Sequence, residues 1–153
     1  MILSGRPKYT PRANEVIKSA ARQARQLGHP SVGSQHLLFA LLLLGSGVQF
    51  HVLTKLGLTY SSVGDGIRQR SPDTEENKKI DGVLYGLSAV ESLDRAADES
   101  RKMMHSYVGT EHILLGLLAE QKGGATDLFA SHGVNVTKAR EMILEAIRLP
   151  EGT

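Results

Sequence analysis

The chain contains two copies of a stretch of about sixty residues, which align without a gap at a constant offset. The offset is 76 residues, the distance from Gly33 to Gly109. Identical residues stand at equivalent positions along the whole stretch, among them Tyr9 and Tyr85, Ala13 and Ala89, Glu15 and Glu91, and His36 and His112. A repeat of this length corresponds to a whole folding unit. The sequence therefore predicts one pseudo-symmetric domain, with any binding surface present in two versions.

Each copy is predicted to form four helices. Thr10 followed by Pro11 is typical of an N-cap and a first helical residue, and apolar residues then recur at helical spacing as far as Gly28, a typical C-cap. The predicted N-caps of the second and fourth helices are Ser34 and Thr59 in the first copy, and Thr110 and Asn135 in the second. No segment alternates apolar and polar residues long enough to predict a strand. We therefore expect an all-α fold of eight helices.

The repeats define the expected domain boundaries. We predict a single domain over residues 1–153, with repeat 1 at about 8–70 and repeat 2 at about 84–148. Residues 71–80 are polar and contain a proline, which predicts a solvent-exposed linker. Gly86-Leu87-Ser88 stands where the first copy has Thr10-Pro11-Arg12, so Ser88 is expected to cap its helix slightly later.

Composition limits the compartment. The chain has no cysteine, which excludes disulfides and thiolate metal sites and fits a reducing compartment. The longest apolar run, Phe39–Leu44, is far shorter than the ~20 residues that span a bilayer. The residues after Met1 do not resemble a signal peptide. We expect a cytoplasmic protein, or a mature chain of an organelle stroma, with no membrane partner.

Positive charge is concentrated in the first helix. Six basic residues lie between Arg6 and Arg25 against one acid, Glu15, although the net charge of the chain is only +2. A basic helix attracts nucleic acid or an acidic partner, but no aromatic residues are interleaved here for base stacking. We interpret it as a solvated helix face, and a nucleic-acid-binding helical protein stays as an alternative function.

The histidine pairs are candidates for a metal site. Each copy carries a His-x₆-His pair, His29 with His36 and His105 with His112. No carboxylate completes a ligand set in the first copy, where Gln35 replaces the acid of the second copy. We expect these histidines to hydrogen-bond and pack against the second helix of each copy, and we predict no metal and no cofactor.

Catalytic motifs are not found in the sequence. It contains no Walker phosphate cradle, no His-Glu-x-x-His and no Gly-x-Ser-x-Gly. Glu111 could act as a general base, but the dipole of a helix stabilises a carboxylate at its N-terminus without any such role. We therefore predict that the chain is not an enzyme.

The start of the second helix in each copy is a candidate for recognition. A hydroxyl (Ser34 or Thr110), an amide or acid (Gln35 or Glu111) and unpaired backbone N–H groups meet there. The N–H groups can hold an anion while the carboxylate holds a cation. Such a corner suits a zwitterionic or phosphorylated side chain, and plain helix capping is the alternative.

One segment carries a family resemblance. Val-Gly-Thr-Glu-His-Ile-Leu-Leu-Gly-Leu-Leu, from Val108 to Leu118, resembles the signature of the Clp N-terminal (Clp repeat) domain, and Tyr9–Ala13 and Leu27–His29 resemble the same family. The resemblance extends over about residues 8–148 and is nearest to the ClpC type. It implies an eight-helix domain of two four-helix repeats with pseudo-twofold symmetry. In that family the domain precedes the ATPase rings of AAA+ unfoldases and binds substrates and adaptors.

The resemblance also implies a phosphoarginine pocket in each repeat, lined by a threonine before helix 1 and by the glutamate of Gly-Thr-Glu-His. The first copy keeps Thr10 but has Gln35 in place of the acid, and the second keeps Glu111 but has Gly86 in place of the threonine. Charge-assisted hydrogen bonds are roughly twice as strong as neutral ones. We therefore expect weak phosphoarginine binding at most, with the second copy as the better candidate.

We predict a non-catalytic protein-interaction module of the Clp unfoldase/protease system, binding substrates or adaptors for an AAA+ ATPase. The alternative is a free-standing accessory subunit that docks on the ATPase or peptidase subunits of a Clp protease. The predicted contact residues are Thr10, Pro11, Arg12, Ser34, Gln35, Gly86, Thr110 and Glu111.

Overall fold

The computed structural model describes residues 7–70 and 74–148. Within these residues the chain forms eight α-helices and one β-hairpin, which confirms the predicted all-α class. The first repeat contains α1 (Pro11–Gln26), α2 (Ser34–Leu44), α3 (Val48–Lys55) and α4 (Tyr60–Gln69). The hairpin of β1 (Asn77–Ile80) and β2 (Val83–Gly86) follows, and then α5 (Leu87–Lys102), α6 (Thr110–Leu118), α7 (Gly124–Ser131) and α8 (Val136–Arg148).

The helices of the two copies begin at equivalent positions. Helices α1 to α4 begin at residues 11, 34, 48 and 60, and helices α5 to α8 begin at residues 87, 110, 124 and 136. The offset found in the sequence therefore holds for every helix start.

Several predicted helix caps are confirmed. The Thr10 hydroxyl accepts a hydrogen bond from the Ala13 N–H at 3.1 Å, and Pro11 is the first residue of α1. Thr59 and Asn135 accept from the third residue of α4 and α8 at 3.0 Å each. These bonds satisfy N–H groups that have no partner within the helix.

The predicted caps of α2 and α6 are wrong. Ser34 and Thr110 are the first helical residues, and the N-caps are Gly33 and Gly109. Ser88 also does not delay the start of α5, which begins at Leu87 with Gly86 as its N-cap. All three hydroxyls make hydrogen bonds to other segments of the chain.

The β-hairpin is the feature that the sequence prediction missed. β1 and β2 are antiparallel, with Asn77 opposite Gly86 and Ile80 opposite Val83. The two turn residues, Asp81 and Gly82, have φ angles of 52° and 80°. Positive φ at both central residues is typical of a type I′ turn, for which Asp-Gly is a preferred sequence. Part of the predicted linker is therefore an ordered strand.

The hydrophobic core surrounds α2 and α6. Nearly every residue of these two helices is buried, as expected for a helix that is apolar on all sides. Helix α2 packs against α1, α4 and α7, and α6 packs against α5 and α8. Among the described residues, no single helix is long and apolar enough to cross a membrane; α2 and α3 pass a length and composition test only as a pair, bent by 102°.

In each copy, the extended residues before the first helix pair with the loop before the second helix of the other copy. The Val108 N–H donates to the Lys8 carbonyl at 2.7 Å, and the Thr10 N–H donates to the Val108 carbonyl at 3.0 Å. At the equivalent positions, the Val32 N–H donates to Leu84 at 2.9 Å, and the Gly86 N–H donates to Val32 at 2.8 Å. Each copy therefore completes the other, as the predicted pseudo-twofold symmetry requires.

Candidate functional site

The main-chain pairing between the copies creates two pseudo-equivalent surfaces. We call the surface formed by Thr10–Arg12 and Thr110–Glu111 the first corner. The second corner is formed by Gly86–Ser88 and Ser34–Gln35, where the Ser34 N–H donates to the Ser88 hydroxyl at 3.3 Å.

The corners correct the pairing that was assumed within each repeat. Thr10 lies with the glutamate of the other copy, Glu111, and Gly86 lies with Gln35. The first corner therefore has both the threonine and the acid, whereas the second corner has neither. The two versions of the surface are chemically unlike each other.

A series of hydrogen bonds, buried at Thr110 and exposed at Arg12, holds the first corner together. The Thr110 hydroxyl donates to Gln49 Oε1 at 2.8 Å, and Gln49 Nε2 donates to the Ser46 carbonyl at 2.8 Å. The Arg12 guanidinium donates to the same carbonyl at 3.0 Å and to the Ser46 hydroxyl at 2.6 Å. Gln49 is fully buried. Sequence reasoning missed Ser46 and Gln49 because nothing in the local pattern shows that they lie beside another copy's helix start.

Glu111 is the acidic group of the first corner. Its side chain is 24% exposed, and it folds back over Gly109, where a Cβ atom would overlap its carboxylate. Burial raises the pKa of Glu111 above its ordinary value, and the helix N–H and the charges of His105 and Arg12 oppose this shift. This carboxylate is partly exposed and, when ionised, can accept a charge-assisted hydrogen bond from a positively charged group of a partner.

The histidine pairs hold the starts of α2 and α6, as predicted. The Gly109 N–H donates to Nδ1 of His112 at 2.8 Å, so Nε2 carries the proton and donates to Nδ1 of His105 at 2.9 Å. The first copy repeats both contacts, from Gly33 to His36 and on to His29, at 2.8 Å each.

The buried histidine of the second copy is neutral. Burial, with a smaller effect of His105, lowers the pKa of His112 to about 4. Its Nδ1 lies 3.3 Å from Glu111 Oε1, but an unprotonated nitrogen forms no ion pair. Among the described residues, no group of three or more His, Cys, Asp or Glu side chains is placed to hold a metal ion.

A residue from the interrepeat segment occupies the second corner. Glu75 Oε1 accepts from the Ser88 hydroxyl at 2.8 Å, and Oε2 accepts from the Ser88 N–H at 3.2 Å. Gln35 is turned inward against Gly33 and Gly124, where a Cβ atom would overlap its amide. Sequence reasoning missed Glu75 because it treated the segment as a solvated linker.

The predicted contact residues divide by exposure. Pro11 and Arg12 are exposed, and Thr10 and Glu111 are partly exposed. The other four are buried and shape the corners from inside: Ser34, Gln35, Gly86 and Thr110. Ser34, for example, accepts a hydrogen bond from the Ala125 N–H at 3.0 Å. In this arrangement a partner would meet Thr10, Pro11, Arg12 and Glu111 first, and the contact surface of all eight residues stays a prediction.

The duplication and the cross-copy corners point to one protein family. The family described as "Clp repeat (R) N-terminal domain" matches residues 8–132 and, in a second match, residues 88–149. The chain belongs to this family. The first match extends over the first copy and most of the second, and the second match falls on the second copy.

Curated relatives place the similarity in Clp ATPases. The ClpC ATP-binding subunits of the Clp protease from Staphylococcus epidermidis and Staphylococcus saprophyticus are each 34% identical over 144 residues. The match covers 94% of this chain but only 17% of those proteins. This Clp repeat chain therefore spans about a sixth of the length of these relatives.

Solved structures share the fold. The N-terminal domain of ClpD from Arabidopsis thaliana superposes with a TM-score of 0.78 at 23% identity, covering 93% of this chain and 96% of that one. The Hsp104 N-terminal domain from Candida albicans gives 0.74 at 20% identity, covering 92% of each chain. A ClpV N-domain in complex with a VipB peptide gives 0.63 at 23% identity, covering 90% and 88%.

Proposed function

We propose that this chain is a non-catalytic protein-interaction module of the Clp unfoldase/protease system, which binds substrates or adaptors for an AAA+ ATPase. The observation that carries the proposal is the first corner, a polar surface built by both copies on a fold of Clp N-domains. A ClpV N-domain of the same fold has been solved with a bound peptide, which supports peptide recognition by this chain.

The first corner matches the charges of a phosphorylated arginine. Glu111 offers a carboxylate to a guanidinium, while the Arg12 side chain and the positive end of the α1 dipole attract a phosphate. Thr10 and Glu111, the two residues that the family resemblance implies for this ligand, lie together in this corner. The chain would therefore bind phosphoarginine at one corner, although neither repeat alone contains both residues.

A binding titration tests the proposal. Fluorescein-labelled casein, either untreated or arginine-phosphorylated, is titrated with the protein and followed by fluorescence anisotropy. We expect saturable binding with a preference for the phosphorylated form. Glu111→Gln should weaken the binding of the phosphorylated form about tenfold, because a charge-assisted hydrogen bond becomes a neutral one. Glu141→Gln removes an exposed acid from α8 and is the matched control, which should bind like the original protein.

Two outcomes would count against the proposal. If neither form of casein bound at micromolar protein concentration, the proposal that the chain recognises protein substrates would be wrong. Equal weakening by Glu111→Gln and Glu141→Gln would remove the first corner as its site and leave only a general effect of charge.

A further inference from the structure

The interrepeat segment supplies the cap that α5 lacks. At α1 the Thr10 side chain caps the helix, but at α5 the N-cap is Gly86, which has no side chain. Three donors of the first turn bond instead to this segment: the Leu87 N–H to the Glu76 carbonyl at 2.9 Å, and the N–H and hydroxyl of Ser88 to the Glu75 carboxylate at 3.2 and 2.8 Å. Glu75 therefore occupies the second corner as an anionic ligand would.

Gly86 makes room for this carboxylate. A Cβ atom at position 86 would overlap Oε1 of Glu75. A threonine here, the equivalent of Thr10, would therefore displace the Glu75 side chain. Glycine in place of the family's threonine therefore leaves the space that the Glu75 carboxylate fills.

The carboxylate also links the starts of two helices. The Ser88 hydroxyl donates to Glu75 and accepts from the Ser34 N–H, so the bound group lies where α5 and α2 begin. Gly86, which has no side chain, forms a cradle of the size of a carboxylate together with the main-chain N–H and the hydroxyl of Ser88.

We propose that Glu75 is a removable internal ligand, which closes the second corner to acidic side chains of partner proteins. Glu75 is only partly buried, whereas Ser88 is buried, so an external carboxylate would reach the two Ser88 donors only after the Glu75 side chain has left them. The inference concerns the second corner alone and does not depend on the function proposed for the first.

A second acid opposes the closed arrangement. Glu120 is buried, hydrogen-bonds Ser34, and lies near enough to Glu75 that their repulsion adds to burial in raising the pKa of Glu120. The donors of α5 hold the Glu75 side chain in the corner, while the repulsion between the two carboxyl groups opposes this position. Because the segment is covalently attached, its effective concentration favours the closed state.

Chemical rescue tests the cradle. Glu75→Ala leaves a carboxylate-sized space, so the Ser88 amide resonance should move in a ¹H–¹⁵N spectrum and return toward its original position as sodium acetate is added, with saturation. Glu76→Ala is the matched control: it removes the same charge from the next residue, whose contact is a main-chain carbonyl. Its Ser88 amide should stay in place, with and without acetate.

A peptide tests the closure. An acetylated peptide with the sequence of residues 74–77 should shift the Ser88 amide of Glu75→Ala and leave that of the original protein unchanged. An equal shift in the original protein would show that the corner is not closed. If acetate did not move the Ser88 amide resonance in Glu75→Ala, or moved it equally in Glu76→Ala, the cradle would not be a carboxylate site. Neither readout uses client binding, so it is independent of the first corner.

Discussion

At the scale of residues, buried ionisable groups set how the corners are held. His112 accepts the Gly109 N–H only while its Nδ1 is unprotonated, and burial keeps its pKa at about 4. The structure of the helix start thus depends on a neutral imidazole.

Acidification should therefore destabilise the fold through His112. Its pKa in the folded state lies below the ordinary histidine value of 6.5, so the unfolded state binds more protons between pH 6.5 and 4, and stability is lost as pH falls through this window. The full loss from this one group is about 3 kcal/mol. Urea unfolding at pH 7 and pH 4 measures it, and imidazole NMR follows the titration itself. His112→Gln keeps an acceptor, does not titrate and should lack this part of the loss; titration of His112 near pH 6.5 would contradict the account.

Ionisation of Glu120 should give stability the opposite pH dependence. Burial raises its pKa, so the folded state binds more protons above pH 4.5, and stability falls as pH rises through the folded pKa. Glu120→Gln keeps an oxygen for the Thr126 N–H, which now lies 2.8 Å from the carboxylate, and removes the ionisation. We expect this variant to be at least as stable at pH 7 and to have a flatter pH dependence. Chemical unfolding from pH 4 to 8 checks this, with Glu141→Gln as the exposed control; an unchanged pH dependence would be contrary evidence.

At the scale of elements, one glycine sets how closely α5 and α6 pack. A Cβ atom at Gly116 would overlap the Ser92 carbonyl and lie 2.9 Å from the Ala96 nitrogen, and neither main-chain atom can move aside. The first copy has Ala40 at this position, so its helices do not approach in the same way.

Gly116→Ala should therefore destabilise the protein by about 1–3 kcal/mol, the usual cost of overpacking. The control is Gly66→Ala in α4, where the new methyl group would meet only the movable end of Leu128 at 2.7 Å. This control should be close to neutral, because alanine also favours the helix. Thermal unfolding of both variants decides the point, and equal stability of the two would argue against close packing at Gly116.

Elements with strong local signals were predictable from the sequence. The helix starts at Thr10, Thr59 and Asn135 follow from cap residues and helical spacing, since both act within one turn. The hairpin also had a local signal, Asp81-Gly82 between apolar residues, but β1 is too short for alternation to reveal it. The caps of α2 and α6 were misassigned because serine and threonine are good caps in general, while these hydroxyls bond across the copies.

At the scale of the whole molecule, the corners depend on how the copies are interlocked. An offset in sequence shows that two units are alike, but it does not show that each unit borrows the extended residues of the other. The pairing of Thr10 with Glu111 was therefore beyond the sequence, as was the occupation of the second corner by Glu75.

Interlocking predicts that neither half is stable alone. Residues 7–70 and residues 74–148, expressed separately, each lose the main-chain pairing with the other copy and the packing of α2 on α7 and of α3 on α8. We expect little helical circular dichroism from either half and recovery of helicity when the halves are mixed. A well-dispersed NMR spectrum from one half alone would contradict this.

The most direct test of the cross-copy site is a double-mutant cycle on binding to arginine-phosphorylated casein. Thr10→Ala and Glu111→Gln belong to different copies but to the same corner, so their effects on binding free energy should be coupled by about 0.5 kcal/mol or more. Thr10→Ala combined with Ser88→Ala, which changes the second corner, should give additive effects. Additivity of Thr10→Ala with Glu111→Gln, or coupling of the same size to Ser88→Ala, would contradict a recognition site built by both copies.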